Sequence, residues 1–206
     1  MKNSIWTRRQ ILGSLAVLPL AANATVSSVY GTASSDGIIR CKLFNSKGEL
    51  YDIKKMSRFY ICDLISRPFQ IDPRFAPGEI SFVPVSAPFR ISLPFEVPGF
   101  GEVFCYADNK GSGYTADILA NSKTLLLNYE FATDRLATVH RLMEECRKLS
   151  VNLSSSTLKR VTAAEKYMAS AKESGSDEIA VCRWSMESLR ESLWAGEMIV
   201  KERAQQ

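Results

Sequence analysis

Histidine is almost missing from this chain: His140 is the single instance among 206 residues. That scarcity excludes His-Glu-x-x-His zinc sites, and neither a Gly-x-Ser-x-Gly elbow nor a phosphate-binding glycine loop is present to suggest another catalytic centre. His140 stands beside Val139 on an amphipathic stretch and reads as a surface or boundary residue. The five cysteines (Cys41, Cys62, Cys105, Cys146, Cys182) contain no Cys-x-x-Cys pair, which argues against a zinc site, and their odd number leaves at least one thiol unpaired within the chain. No metal or cofactor is expected. A charge excess is missing too. Lys2, Arg8 and Arg9 account for the charge of the first 24 residues, so the 26 basic residues less these three leave 23 against 22 acidic ones. That balance gives no basic surface for nucleic acid. What remains, 46% hydrophobic and 23% charged, is the composition of an ordinary folded domain.

No apolar run is long enough to cross a bilayer stably. Ile11 to Ala22 has the length of a signal h-region instead, and paired Arg8 and Arg9 stand immediately before it. Ala22-Asn23-Ala24 supplies a small-x-small cleavage pattern. Residues 1–24 therefore read as a twin-arginine signal peptide, a route for folded proteins. The mature chain is expected to begin near Thr25, to meet the membrane only in transit, and to work in the periplasm or outside the cell. Residues 25–35, rich in Ser, Thr, Gly and Ala, read as a flexible leader.

The rest of the chain pivots on Phe95 to Tyr114, where a short apolar run (Val103 to Ala107) breaks into Asp108-Asn109 and Gly111, Gly113. Such a run reads as the last strand of a sheet, followed by a turn that needs positive φ. Residues 36–115 ahead of it are strand-like. Ile39, Cys41 and Leu43 alternate with Arg40 and Lys42, and Asn45 to Gly48 turns the chain toward an extended Glu49 to Ile53. Arg58 to Ile65 alternates more weakly, as a strand buried on both sides does, and Glu79 to Val85, Phe89 to Pro94 and Glu102 to Ala107 complete about six strands. Seven of the eight prolines fall between Pro68 and Pro98, so these strands must be short, interrupted or at edges. The pattern favours a small antiparallel β-sandwich over an irregular sheet packed on helices.

Residues 116–206 are helical in pattern. Leu125, Tyr129, Ala132, Leu136, Val139, Met143 and Cys146 recur at intervals of three and four. Leu158, Val161, Ala164, Met168 and Ala171 form a second seam, and Ile179, Cys182, Met186, Leu189, Leu193, Gly196 and Val200 a third. Serines between 150 and 156 can cap the second helix, and Ser176 or Asp177 the third. The expected fold is α+β: a small antiparallel β-sandwich followed by a three-helix antiparallel bundle. Trp184 lies off the third seam and Trp194 at its margin, so the third helix should touch a second surface, either the β-domain or a docking partner.

Candidate ligand contacts are few. Exposed aromatics on a sandwich serve as stacking platforms for sugars, and Tyr51, Tyr60, Phe100, Tyr106 and Tyr114 are available. Tyr106, Asp108, Asn109 and Tyr114 cluster at the pivot. The run Asp108 to Gly113 has the outline of a calcium loop, but Lys110 stands where a carboxylate is needed, and a plain glycine turn is the simpler reading. Glu96, Glu102 and Asp108 are the carboxylates a small hydrolase would have to use.

The run Val97-Pro98-Gly99-Phe100-Gly101-Glu102-Val103-Phe104-Cys105-Tyr106-Ala107-Asp108-Asn109 resembles the region ahead of the catalytic barrel in some bacterial family 10 glycoside hydrolases, the xylanase-like proteins. Gly113-Tyr114-Thr115, Leu127 to Ala132 and Leu193 to Met198 extend the likeness over most of residues 37–203. It implies an exported accessory module, non-catalytic in itself, that binds a xylan-like polysaccharide or docks on a hydrolase barrel. The two catalytic glutamates of that family belong to the barrel, expected after Gln206, and neither is carried over to this chain. The alternatives are a cell-envelope interaction module working through Trp184 and Trp194, or a small glycoside hydrolase.

Overall fold

The computed structural model describes residues 37–52, 54, 58–116 and 124–205. Arg8, Arg9, the rest of the expected signal peptide (residues 1–24) and the expected 25–35 leader lie outside the described residues. Strands β1 (Ile39–Lys42), β2 (Tyr60–Cys62), β3 (Arg74–Ala76), β4 (Glu79–Phe82), β5 (Arg90–Val97), β6 (Gly101–Ala107) and β7 (Leu125–Leu126) precede helices α1 (Leu127–Lys148), α2 (Ser155–Glu173) and α3 (Glu178–Ala204). The fold is α+β, with the three helices C-terminal.

Two small sheets form, ordered β3-β4-β1-β7 and β2-β5-β6. Phe82 of the first meets Phe59, just ahead of β2, at 5.7 Å between ring centroids and Phe89, just ahead of β5, at 5.9 Å, so the sheets face each other across aromatic rings. All pairs are antiparallel except β1 with β7, which set Cys41 opposite Leu125 in parallel register. The final strand of the chain is therefore β7, not β6, and Leu125 belongs to a sheet although it fits the helical seam. Its two residues cover the edge of β1 that β4 leaves open, satisfying a row of backbone groups otherwise unpaired.

Proline explains the irregularities. β3, bounded by Pro73 and Pro77, is a sheet edge that the alternation did not reveal. Pro94 lies inside the central strand β5, but β2 pairs only with Arg90, Ile91 and Ser92, so no β2 ladder bond is lost at Pro94. The stretch Arg58 to Ile65 is not buried on both sides. Asp63 ends β2 by accepting the N–H groups of Ile65 and Arg67 at 3.0 and 2.8 Å, and Leu64 and Ile65 are left in water. Beyond the turn at Asn45–Gly48, the second arm of the first hairpin is reduced to one bridge between Phe44 and Leu50.

The helices close over the same core. Phe95 of β5 meets Phe131 of α1 at 5.9 Å, and one hydrophobic cluster runs from Cys41 and Ile61 through Leu93 to Met168 and Leu189. Ser154 caps α2 through Thr157 N–H and Asp177 caps α3 through Ala180 N–H, as the sequence suggests. α3 packs on both α1 and α2, which touch one another little. It is therefore buried beyond its seam, on Val181, Ser185, Ser188, Ser192, Ala195 and Ile199, while the seam ends Ile179 and Val200 are exposed. All five cysteines are buried and free, and burial pushes the Cys105 and Cys182 thiols up to about 12.

Candidate functional site: an aromatic sheet face

The β5–β6 hairpin turns at Pro98-Gly99-Phe100, where Gly99 at φ +74° and Gly101 at φ +113° take conformations that side chains disfavour. Its register sets Ser92 opposite Tyr106, Pro94 opposite Phe104 and Glu96 opposite Glu102, while β2 places Tyr60 opposite Ser92. Alternation sends Ile91, Leu93, Phe95 and Cys105 into the core. The other face therefore carries Tyr60, Phe104 and Tyr106 around a central strand whose outward residues, Ser92 and Pro94, are small.

Those small residues let the rings reach over β5. Tyr60 and Phe104 come within 6.5 Å of each other, at an interplanar angle of only 32°. Ser92 and Pro94 are covered, yet the rings themselves stay open: Tyr60, Phe104 and Tyr106 are 45%, 46% and 43% exposed. Two guanidiniums flank them. Arg58 lies 6.0 Å from the Phe104 centroid and donates to Glu102 at 2.7 Å. Arg90 lies 5.0 Å from the Tyr106 centroid and donates to the Ser66 hydroxyl. The face is flat, aromatic and edged with hydrogen-bonding groups. It can stack planar or low-polarity rings and fix them at their margins.

Of the candidate contacts Tyr106, Asp108, Asn109 and Tyr114, only Tyr106 belongs to this face. Asp108 is used by its own turn, accepting from Gly111 N–H at 2.7 Å, and Asn109 Nδ2 donates to the Gly113 carbonyl at 3.3 Å. Tyr114 is buried and donates its hydroxyl proton to Glu130 Oε2 at 2.6 Å. Asn109 and Lys110 both have positive φ, and the turn is pinned from α1: Asp134 accepts the N–H groups of Asp108 and Lys110 at 2.5 and 2.6 Å. Burial raises the Asp134 carboxyl to about 6 against the pull of these two bonds, with the charges of Asp108 and Glu130 adding to the rise. Burial likewise raises Glu130, opposed by the Tyr114 hydroxyl and Lys110, and raises the Tyr114 phenol. Each oxygen of Asp134 is committed to a backbone donor, so this cluster anchors the sheet to α1.

Both tryptophans of α3 find neighbours inside the chain. Trp184 stacks on Tyr167 of α2 at 5.8 Å and an angle of 16°, against the main core. Trp194 meets Phe100 edge-on at 5.1 Å and Arg160 at 5.8 Å, so the second surface of α3 is partly the β5–β6 turn. Glu96 and Glu102 face each other across the hairpin, on an exposed rim rather than in a cleft. His140 is exposed and bonds Glu165 at 2.9 Å. Among the described residues no three His, Cys, Asp or Glu side chains converge as metal ligands.

Phe104 is the contact that the sequence reading passed over, because Val103 to Ala107 looks like one apolar run. The alternation of Glu102, Phe104 and Tyr106 is the signal that could have found it. Comparison with protein-family models, with curated proteins and with solved structures returned no match.

Proposed function

We propose that this chain is an exported, non-catalytic accessory module that binds polysaccharide weakly through the face formed by Tyr60, Phe104 and Tyr106. The observation that carries the reading is the open pair Tyr60 and Phe104, their ring centroids 6.5 Å apart and tilted by 32°, with Tyr106 beside it on the same sheet face. A pyranose presents C–H groups on one side, and these are attracted to the negative face of an aromatic ring. Cross-strand aromatic pairs do stabilise sheets, by about 0.2–1 kcal/mol, but three rings each more than two-fifths exposed leave much of their apolar surface unused by the fold. The likeness of residues 97–109 to the region ahead of xylanase-like barrels supports a xylan-like ligand and an exported setting.

Docking on a hydrolase barrel, or on an envelope protein, through α3 gains less support, because Trp184 and Trp194 already pack on Tyr167 and Phe100. A hydrolytic role for Glu96, Glu102 or Asp108 gains less still. Glu102 is held by Arg58 and Asp108 by its turn, and neither carboxyl faces another across an enclosed cleft.

Affinity electrophoresis of the full chain in gels containing xylan tests the proposal. The parent should be retarded, and Phe104→Ala with Tyr106→Ala should run as in a blank gel while keeping its circular dichroism. Equal mobility of parent and double variant in every glycan gel removes the sugar-binding reading.

A further inference from the structure

The two ends of the aromatic face differ in charge. At the hairpin end, Arg58 is neutralised by Glu102 at 2.7 Å, with Glu96 across the ladder. At the other end, Arg90 lies over Tyr106 and donates to the neutral Ser66 hydroxyl. Among the described residues no carboxylate pairs with Arg90, and its Nε is buried without an acceptor. Asp63, which follows the Cys62 that pairs with Arg90, is taken by Arg67 at 2.7 Å. A guanidinium thus lies against a ring at the margin of an exposed platform, with no carboxylate partner among the described residues. Phe104 and Tyr106 are two residues apart on one strand, so about 7 Å separates them, enough for neighbouring rings to serve neighbouring sugar units.

We infer that the platform selects an acidic polysaccharide, with a neutral pyranose over Tyr60 and Phe104 and a uronic acid over Tyr106, its carboxylate received by Arg90. This rests on the glycan-binding reading above and assigns the ligand class of that same face. A guanidinium offers parallel N–H donors to a carboxylate, and its fixed position against Tyr106 lowers the ordering cost of binding.

The test measures retention of the full chain by glucuronate-bearing xylan, by the same polymer after carboxyl reduction, and by polyglutamate. The parent should bind the acidic xylan about tenfold more tightly than the reduced one, the effect of one charge-assisted hydrogen-bonded contact. Arg90→Gln should erase that difference, so that it retains the acidic and the reduced polymer equally. Arg90→Lys, which keeps the charge but not the fork, should fall between, and circular dichroism establishes that each variant is folded. Equal binding of acidic and reduced xylan by the parent overturns the acidic assignment while leaving the platform intact. Retention by polyglutamate as strong as by the acidic xylan overturns it also, because charge alone would then suffice. Failure to bind any glycan overturns both this inference and the reading beneath it.

Discussion

The carboxamide of Asn128 exchanges two hydrogen bonds with the backbone of Phe44: Oδ1 accepts the Phe44 N–H at 3.0 Å, and Nδ2 donates to the Phe44 carbonyl at 2.9 Å. A side chain from the first turn of α1 thus acts as one more strand residue beside the first hairpin. Asn128 is fully buried, and the Cys182 thiol of α3 contacts the same Oδ1 at 3.5 Å. Sheet and helices are joined at this point by polar bonds that water cannot replace.

Asn128→Ala should therefore destabilise the chain by about 3 kcal/mol, since it strands a buried N–H and a buried C=O together. Asn128→Asp keeps the shape but cannot donate to the Phe44 carbonyl, and should cost at least as much near neutral pH. Urea denaturation measures both. A loss below about 1 kcal/mol for the alanine variant would mean that the hairpin and α1 are not coupled through this residue.

A second polar tie closes the far end of the bundle. Glu202, near the end of α3, accepts from Ser154 N–H at 2.9 Å, Ser154 Oγ at 2.6 Å and Thr157 Oγ1 at 2.7 Å. Partial burial opposes its ionisation, but these bonds prevail and hold its carboxyl below the ordinary range. Ser154→Ala should cost about 1 kcal/mol as the loss of an N-cap. The losses from Ser154→Ala and Glu202→Gln should not add, because each removes the same contact. Strict additivity in thermal melts of the single and double variants would contradict that shared role.

These examples mark what periodicity can reveal. The helices and their caps were legible because intervals of three and four, with serine or aspartate at the boundaries, report local geometry that tertiary packing did not override. β7 was not legible, since Leu125 fits a helical seam as well as a strand and only the open edge of β1 selects the strand. Asn128 and Asp134 were missed for a related reason: polar residues on a helix read as solvent-facing until their backbone partners, remote in sequence, are known. Ser188 of α3, which donates to the Ala164 carbonyl at 2.8 Å, follows the same rule. At the candidate site, Tyr60 and Tyr106 stand out singly in the sequence as available aromatics, but the grouping of Tyr60, Phe104 and Tyr106 depends on cross-strand register that no single strand encodes.

Gly196 owes its place in the middle of α3 to Arg135. A Cβ there would stand 2.4 Å from Nη2 and 3.2 Å from Cζ of the arginine, which lies across the helix from α1 with its Nε enclosed and unpartnered. Burial lowers the Arg135 pKa, and the nearby charge of Glu197 works against that fall. Glycine inside a helix costs about 1 kcal/mol relative to alanine. Gly196→Ala should nevertheless destabilise the parent by about 1 kcal/mol, since overpacking displaces a half-buried guanidinium. In an Arg135→Ala background the same change should stabilise by about 1 kcal/mol. The sign reversal across the double-mutant cycle is the result to look for, and a stabilising effect in both backgrounds would mean that the arginine moves aside freely.

The Asp134 cluster predicts an unusual pH dependence. A carboxyl raised from the ordinary 3.8 to about 6 binds its proton more tightly when the chain is folded than when it is unfolded. Between those two values the folded state holds more protons, so stability contributed by this group is greatest at the acid end and falls as pH rises through about 6. Glu130, also raised by burial, acts in the same direction, whereas Glu202 acts in the opposite one at lower pH. Asp108 and Lys110, whose N–H groups Asp134 holds, lie in the turn that follows Tyr106, so loosening this anchor should also disorder that end of the aromatic face. Asp134→Asn fixes a neutral side chain there but offers one acceptor where two N–H groups need one. It should be less stable than the parent at every pH, and the decline from pH 4 to 6 should flatten. Urea midpoints of both proteins across that range test the claim, and a parent whose stability does not fall over the same interval, or falls as much as that of Asp134→Asn, would show that burial does not raise the Asp134 carboxyl.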